Sequence, residues 1–389
     1  MSNNYDVLKN KVLFGKYKIS KIIGKGSFGC VFEGVYLLDN SKVAIKVDNK
    51  NADSQLLQIE STFLSILKGY GIPEIKSFGH HGKFYIMVQE LLGYNLMQLR
   101  QYIKGFTIKD IAMIGIQIID RIEYVHSKNI LHRDIKPENF VIGYNNSSII
   151  YIIDFGISRK YRSSRTGKHL KYQLIGKMFG TVRYASYNAS RGLEQSRRDD
   201  LESIGYMLIY LAKGDLPWKG INLKAQDKEK RYIHMLLLKK FTAAEVICQN
   251  LPQEFVDYVK YCRQLKFEQQ PDYEYLRNLF KSILLRLNTI NDMKFSWNLK
   301  TFSKKGNNKN NSNKDKYINF LRRRESPQTR LYHAIQYSLE KNKKRNNEIE
   351  KNLEISAQKT IISIPRKDEN LQNMFNRDAR YIFAQKKRR

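Results

Sequence analysis

Two short segments near the middle of the chain carry side chains that could handle a phosphoryl group. The first reads L-H-R-D-I-K-P-E-N-F and contains Asp134, Lys136 and Asn139, and the second reads Y-I-I-D-F-G-I-S-R and contains Asp154. One aspartate can accept the proton of an attacking hydroxyl, and the other, together with the amide, can hold the metal ions that neutralise the transferred group. The pattern therefore predicts Asp134 as a catalytic base beside Lys136, and Asn139 with Asp154 as a magnesium site.

A glycine-rich stretch upstream could cover the phosphates of a bound nucleotide. G-K-G-S-F-G occupies residues 24–29 and is followed by C-V-F-E-G-V-Y-L, whose aromatic and β-branched residues favour a second strand. A dinucleotide-binding motif would instead open a helix at this point. Glycines at the tip of a hairpin let backbone amides approach phosphates, because no Cβ intervenes. Taken alone, however, the glycines are equally compatible with a structural turn.

A lysine and a glutamate further along extend the predicted phosphate site. Lys46 ends the strand-like V-A-I-K, and Glu60 is the only acid in Q-L-L-Q-I-E-S-T-F-L-S-I-L, whose apolar residues have helical spacing. In this order after a glycine hairpin, the ammonium can contact the α- and β-phosphates and pair with the carboxylate.

The run F-Y-I-M-V-Q-E-L-L-G then predicts a connector between two lobes, where backbone groups of residues 90–92 could hydrogen-bond an adenine ring and Gln89 would limit the depth of its pocket. The predicted nucleotide-binding residues are Ile23, Gly24, Lys25, Gly26, Ser27, Phe28, Gly29, Val31, Ala44, Lys46, Glu60, Gln89, Glu90, Leu92 and Asp154.

The composition indicates a strongly basic protein. Its 389 residues include 69 Lys and Arg against 37 Asp and Glu, a net charge of +32. That charge favours polyanionic partners, namely acidic or phosphorylated proteins, nucleic acid or an anionic membrane surface. Three separated cysteines (Cys30, Cys248 and Cys262) follow no metal spacing and indicate reduced thiols, so we expect a cytoplasmic or nuclear protein. We also expect a monomer without a secretory signal or a transmembrane segment.

Further motifs follow the glycine hairpin in a fixed order. H-R-D-x-x-x-x-N followed by D-F-G is the protein-kinase signature, which two unrelated acidic turns would rarely reproduce. The chain also has E-L-L-G at the connector and R-I-E-Y-V-H-S-K-N before the first acidic segment. After the second acidic segment come F-G-T-V, then R-Y-A-S-Y-N where most kinases have A-P-E, then S-R-R-D-D at residues 196–200 and P-D-Y-E-Y-L-R at residues 271–277. Over residues 17–299 this set resembles the casein kinase I family.

The resemblance implies a serine/threonine kinase that uses ATP and Mg2+ and prefers acidic or already phosphorylated protein substrates. Lys136 fits the D-x-K-P-x-N loop of serine/threonine kinases, in which it reaches the γ-phosphate, and tyrosine kinases carry a different loop there. The chain departs from the family pattern at Gly176, where a lysine is usual, and at Gln89, where an apolar residue is usual.

Basic residues beyond the second acidic segment could explain such a preference. Arg183 lies in the loop expected to face the peptide, and a basic run follows it at residues 219–231. Charge-assisted hydrogen bonds from these groups can bind a phosphate or carboxylate ahead of the target hydroxyl. A solvated basic face is the alternative. The predicted anion site consists of Arg183, Lys219, Gly220, Lys228 and Arg231.

The order of strand-like and helical segments predicts an α+β, two-lobed protein-kinase fold. We expect an N-terminal extension (1–15), a kinase domain with an N-lobe of antiparallel strands and one main helix (16–92) and a mainly helical C-lobe (93–299), and a basic, largely disordered tail (300–389). The tail could be an import signal, an arm that contacts nucleic acid or membrane, or a solvated basic segment. The alternative for the whole protein is a catalytically silent scaffold of kinase fold that binds polyanions or nucleic acid, against which the intact catalytic set argues.

Overall fold

The fold was analysed in a computed structural model that describes residues 5–26, 29–49, 55–219 and 228–298. Several predictions fall outside these ranges. They concern Ser27 and Phe28 of the glycine hairpin, Gly220 of the anion site and the tail at 300–389. The side chains of Lys25 and Lys228 are likewise not described.

The N-lobe is built on one antiparallel sheet. Its strands are β1 (Val12–Leu13), β2 (Tyr17–Gly26), β3 (Gly29–Tyr36), β4 (Lys42–Asn49), β5 (Ile75–His81) and β6 (Phe84–Glu90), in the order β1-β2-β3-β4-β6-β5. Alternate residues of β3 are buried, and Phe32 packs with Ile45 and Val88 in a core on one face of the sheet. Residues of the opposite parity therefore face the other way, towards the cleft.

The register of the sheet decides which side chains share that second face. Val31 lies opposite Lys46, which in turn lies opposite Met87, and Ala44 lies opposite Gln89. Residues directly opposite each other in antiparallel strands point to the same side. The predicted phosphate lysine and the predicted pocket-limiting glutamine therefore lie on one face, two residues apart along the strands.

One helix, α1 (Leu56–Ile66), completes the N-lobe. It buries Leu57, Phe63 and Leu64 in the large apolar core that continues into the C-lobe, and it also buries the carboxylate-bearing Glu60. The apolar spacing that predicted this helix therefore corresponds to its buried stripe, which turns Glu60 inward rather than to solvent.

The C-lobe is mainly helical, as predicted. Its helices are α2 (Leu96–Ile103), α3 (Ile108–Ser127), α4 (Tyr187–Ser190), α5 (Arg197–Lys213), α6 (Lys228–Phe241), α7 (Ala244–Ile247), α8 (Gln253–Gln264) and α9 (Tyr273–Arg286). The central helix α3 begins with a capping box between Thr107 and Asp110 and is buried along most of its length, between α5 and α9. No helix in the described ranges is both long and apolar enough to cross a membrane.

Short strands in the C-lobe place the two acidic segments. They are β7 (Leu92–Asn95), β8 (Ile130–Leu131), β9 (Phe140–Gly143), β10 (Ile150–Ile152) and β11 (Arg159–Lys160). Strand β9 lies between β7 and β10, and β8 pairs with β11. Asp134 thus lies in the loop from β8 to β9, and Asp154 follows β10. The antiparallel N-lobe and helical C-lobe confirm the predicted fold class.

Candidate active site

Asp134 is held by three neighbouring side chains. Thr181 Oγ1 donates a hydrogen bond to Asp134 Oδ1 at 2.7 Å, and the ammonium of Lys136 donates to Oδ2. Asn139 Nδ2 donates to the Asp134 backbone oxygen at 2.8 Å and to Oδ2 at 3.2 Å. These contacts fix the orientation of the carboxylate, which a general base requires before it can accept a proton from a positioned hydroxyl.

A buried carboxylate on α5 anchors the loop that carries Asp134. Asp200 accepts the backbone N–H of His132 at 2.8 Å and that of Arg133 at 2.9 Å, and His126 Nε2 lies 3.0 Å from the same carboxylate. Burial alone would raise the pKa of Asp200, but hydrogen bonds and charge from His126 outweigh it and lower the pKa. Arg133 has a φ of 68°, a left-handed backbone conformation that its neighbours must stabilise.

The loop of Asp154 is tied directly to the loop of Asp134. The backbone N–H of Ile153 donates to the Asn139 backbone oxygen at 3.0 Å, and His132 Nε2 donates to the Ile153 backbone oxygen at 2.9 Å. Asp154 itself has a φ of 69°, and the ring of the following Phe155 packs edge-on against His132 at 5.1 Å. The two predicted metal ligands, Asn139 and Asp154, therefore sit on loops that cannot move independently.

Lys46 and Glu60 form a buried ion pair across the cleft from these loops. Lys46 Nζ lies 2.5 Å from Glu60 Oε1, and neither side chain is more than 16% exposed. Burial tends to lower the pKa of the Lys46 ammonium, but the carboxylates of Glu60 and Asp154 outweigh it and raise the pKa. Lys46 therefore stays charged, and its field reaches the predicted metal ligand.

One cavity of about 210 Å3 brings these groups together. Its lining combines the glycine hairpin, the ion pair and both acidic loops, namely Gly29, Cys30, Val31, Lys46, Val47, Leu56, Leu57, Glu60, Asp134, Asn139, Ile153, Asp154, Gly156 and Ile157. Gly29 has a φ of 121°, and a Cβ on it would lie 2.1 Å from the Val47 backbone oxygen, so this wall requires glycine. The cavity thus has a cation, oxygen ligands and a closely approaching backbone.

The donor set fits a magnesium nucleotide. Magnesium is usually bound by one or two protein oxygens together with substrate phosphates and water. Asp154 offers a carboxylate, and Asn139 offers its amide oxygen because its Nδ2 is committed to Asp134. Among the residues that the structure describes, no three His, Cys, Asp or Glu side chains cluster into a metal site of their own.

The strands of the predicted glycine hairpin are present on both sides of its undescribed tip. The pairs are Gly24 with Val31, Lys25 with Cys30 and Gly26 with Gly29, and Ile23 is 46% exposed beside them. A second strand after the glycines, rather than a helix, was the feature that distinguished this motif from a dinucleotide fold.

At the adenine end of the cleft, one backbone group of the predicted connector already has a partner within the protein. The backbone N–H of Glu90 donates to the Glu74 backbone oxygen at 2.9 Å, so this amide is already engaged within the protein. Ala44 is buried beside Gln89, whose Oε1 is buried and has no hydrogen-bond partner among the described residues. The adenine contacts of residues 90–92, Leu92 included, stay a prediction.

Two residues of the predicted anion site share one aromatic ring. The Arg183 guanidinium lies 5.4 Å from the centroid of Tyr210, and Lys219 Nζ lies 5.5 Å from the same centroid. Both side chains are exposed, although Lys219 also donates to the Gly214 backbone oxygen at 2.7 Å. The structure therefore brings Arg183 and Lys219 to neighbouring positions at the surface.

Of the other residues of the predicted anion site, Gly220 lies outside the described ranges, and Lys228 and Arg231 belong to α6. Arg231 is half-buried on that helix. The anion site as a whole stays a prediction.

Sequence reasoning gave no role to Thr181, Asp200 or Gly180. Thr181 and Gly180 belong to the quoted F-G-T motif, and Gly180 has a φ of 93° with its Cβ position 2.3 Å from the Arg133 backbone oxygen. Only glycine permits this approach of the segment to the loop of Asp134. Asp200 lies in the quoted R-R-D-D motif. The motifs therefore marked the segments that contain these three residues, but only the fold shows which groups the residues contact.

A comparison with known families agrees with this geometry. The family model described as "Protein kinase domain" matches residues 17–278, which is more than half of the chain.

Proposed function

The chain belongs to the protein kinase family, and we propose that it is a serine/threonine kinase of the casein kinase I type. It transfers the γ-phosphate of ATP to serine or threonine hydroxyls in acidic or already phosphorylated protein sequences. Bound Mg-ATP supplies the phosphoryl group and the metal charge that stabilises it during transfer.

The observation that carries the proposal is the double anchoring of Asp134, by Thr181 on one carboxylate oxygen and Lys136 on the other. A serine hydroxyl beside this carboxylate gives its proton to Asp134 while its oxygen bonds to the γ-phosphorus. The bond from that phosphorus to the β,γ-bridging oxygen breaks, and ADP leaves. Lys136 is close enough to neutralise charge on the transferring group, and Lys46 with Glu60 orients the other phosphates.

Two motifs that suggested the casein kinase I type contact each other. Ser186, in R-Y-A-S-Y-N, begins α4, accepts the N–H of Ala189 at 2.9 Å and donates to Asp199 at 2.5 Å. Asp199 belongs to S-R-R-D-D, where burial raises its pKa to about 6. Because the segment lacks the A-P-E motif, this contact supplies an alternative way of holding it, which supports the proposed subfamily.

The proposed substrate preference rests on the exposed basic groups near Tyr210. Arg183 and Lys219 both lie near its ring, beside the segment that contains Thr181. A guanidinium and an ammonium both form charge-assisted hydrogen bonds with phosphate and carboxylate groups, which supports an anion preference at this surface. The net charge of +32 adds long-range attraction for acidic substrates.

The test is transfer of labelled phosphate from Mg-ATP to two serine peptides that differ only in a phosphoserine three residues before the target. Asp134→Asn protein is the blank, Arg183→Ala tests the anion site, and Lys281→Ala removes an exposed charge on α9 as the matched control. We expect the upstream phosphate to raise kcat/KM about tenfold or more in the wild type and in the control, but much less in the Arg183 variant.

The other outcomes separate the parts of the proposal. Equal transfer to both peptides would remove the anion preference but keep the kinase. Transfer to a matching tyrosine peptide instead would contradict the serine/threonine assignment. No transfer above the Asp134→Asn blank, with salt-dependent binding to polyanions, would favour the catalytically silent scaffold.

A further inference from the structure

Lys239, on the last turn of α6, is a fully buried lysine that points at the backbone of another segment. It is 1% exposed, and its Nζ donates to the backbone oxygens of Val182 at 2.7 Å and Ala185 at 2.6 Å. It also donates to Ser190 Oγ at 3.1 Å, and it lies 5.5 Å from the centroid of the Trp218 ring. All three acceptors belong to the segment at residues 179–190, defined here as the substrate segment.

The contacts of Lys239 are unusual because none of the partners found for it in the described ranges is a carboxylate. The acid whose charge acts on it is Glu202, and Glu202 Oε1 already accepts the N–H of Tyr187 at 3.0 Å and the hydroxyl of Tyr206 at 2.7 Å. Lysines are rarely buried without such a partner. Burial lowers the pKa of Lys239 to about 7, which reflects how completely water is excluded.

The three acceptors suit either protonation state of Lys239. The ammonium donates to all three oxygens. The neutral amine still donates to the two carbonyls, and the Ser190 hydroxyl can then donate to its lone pair, since a hydroxyl both donates and accepts. The contact between α6 and the substrate segment therefore survives deprotonation.

The held carbonyls lie next to groups of the active site. Thr181, which donates to Asp134, directly precedes Val182, and the backbone oxygen of Arg183 accepts Trp218 Nε1 at 2.8 Å. The side chains of Val182 and Arg183 are exposed, while the backbone oxygens of both residues are bound by buried side chains. The carbonyls turned inward thus fix which side chains of the substrate segment face a bound peptide.

We propose that Lys239 is a positioning residue for the peptide substrate, which it serves by fixing the backbone of residues 182–185 beside Asp134. The inference rests on the proposed function because it requires a peptide substrate, but it does not require the anion preference. Since Lys239 acts on the backbone, its loss affects the unphosphorylated peptide as well as the phosphorylated one, whereas loss of Arg183 affects the phosphorylated peptide alone.

The test compares Lys239→Met with Lys240→Met, the same change at the adjacent, half-exposed lysine, which stacks on Phe241 instead. kcat and the KM values for ATP and for both peptides are measured per folded molecule, with thermal stability recorded in parallel. We expect Lys239→Met to lower kcat/KM for each peptide about tenfold or more, because buried carbonyls lose their donor and the segment relaxes. The KM for ATP and every parameter of Lys240→Met should stay within about twofold of the wild type.

A lower thermal stability of Lys239→Met with unchanged kinetics per folded molecule would overturn the proposal, because the lysine would then serve the fold alone. An equal rise in the KM for ATP and peptide would also overturn it, since that pattern indicates general distortion. If Lys239→Met does not fold, Trp218→Phe decides, because it removes the donor to the Arg183 oxygen while it keeps an aromatic ring beside Lys239. Relative to the wild type, Trp218→Phe should have a higher KM for the peptide and an unchanged KM for ATP. An unchanged KM for both would contradict the proposal. A wild type without preference for the phosphorylated peptide contradicts only the proposed anion preference and leaves the Lys239 comparison intact.

Discussion

The loop of Asp134 and the substrate segment meet at one hydrogen bond, but they are stabilised in different ways. In the loop, the partners of Asp134 include Lys136 and Asn139, which are two and five residues away along the chain. In the substrate segment, the side chains that donate to backbone oxygens include Trp218 and Lys239, which lie 35 and 57 residues beyond their acceptors. The Asp134 carboxylate is bound by charged and polar groups, two of them close along the chain, while the distant Asp200 anchors the backbone of the loop. The substrate segment instead presents neutral carbonyls that distant side chains bind.

The difference has a chemical reason. The loop must hold a carboxylate and oxygen ligands in fixed positions, so ionic partners of defined type are needed at short spacing. The substrate segment only has to present a backbone of fixed shape, and many different donors can satisfy a carbonyl. Substitutions in the loop should therefore change chemistry at nearly constant stability, whereas substitutions around the segment should change peptide binding.

The largest effect is expected for Asp134→Asn. The amide cannot accept the hydroxyl proton, so kcat should fall about a thousandfold, while ATP affinity and thermal stability change little. Single-turnover assays and nucleotide titration measure these quantities separately. Asp39→Asn, at an exposed turn, is the matched control and should behave as the wild type. A large fall in the stability of Asp134→Asn would contradict the comparison, because the Asp134 carboxylate would then be needed to maintain the conformation of the loop.

A smaller effect is expected for Glu60→Gln. It leaves the buried ammonium of Lys46 without its 2.5 Å partner, and breaking a buried pair costs roughly 3–5 kcal/mol. We expect kcat/KM to fall about a hundredfold and unfolding to become easier.

The control for this change is Glu74→Gln at the exposed pair with Lys76, where the expected loss is about 1 kcal/mol or less. If the two glutamate variants lost activity equally, the inward placement of Glu60 would have no special role in positioning Lys46.

The features that could be predicted from the sequence are those with local signals, and the features that could not are those that depend on distant contacts. The fold class, the buried face of α1 and the meeting of Lys46 with Glu60 were predictable, because apolar periodicity and motif order are local signals. The engagement of the Glu90 amide by Glu74 was not, since it depends on how β5 and β6 align. The role of Lys239 had no signal at all, because a lysine in K-K-F looks like any surface lysine until the helix is placed.

Lys239 gives the third prediction, a dependence of stability on pH. Its pKa of about 7 in the folded protein lies below the value of about 10.4 in an unfolded chain. Between these values the unfolded chain binds a proton that the folded protein does not, so the free energy of unfolding rises with pH by at most about 1.4 kcal/mol per unit.

Urea unfolding of the wild type, Lys239→Met and Lys240→Met at several values from pH 7 to pH 9 measures this slope. Lys239→Met should lose that part of the increase, and Lys240→Met should retain it. Identical slopes in all three proteins would mean that the ammonium is not buried as described, and the contrast between the two regions would weaken.

The smallest effect is expected at Gln89, the one place in the cleft where the protein leaves a buried acceptor unsatisfied among its described residues. A buried oxygen without a donor costs about 1–3 kcal/mol, so Gln89→Met should stabilise the protein by about 1 kcal/mol and change the KM for ATP less than about threefold. Gln101→Met, on the exposed side of α2, should change neither quantity. A rise of about tenfold or more in the KM for ATP would contradict this expectation and show that Gln89 Oε1 accepts a hydrogen bond from the nucleotide. The cleft would then differ from the substrate segment in a further respect. Gln89 Oε1 would receive its hydrogen bond from the bound nucleotide, whereas the backbone oxygens of the substrate segment receive theirs from the protein.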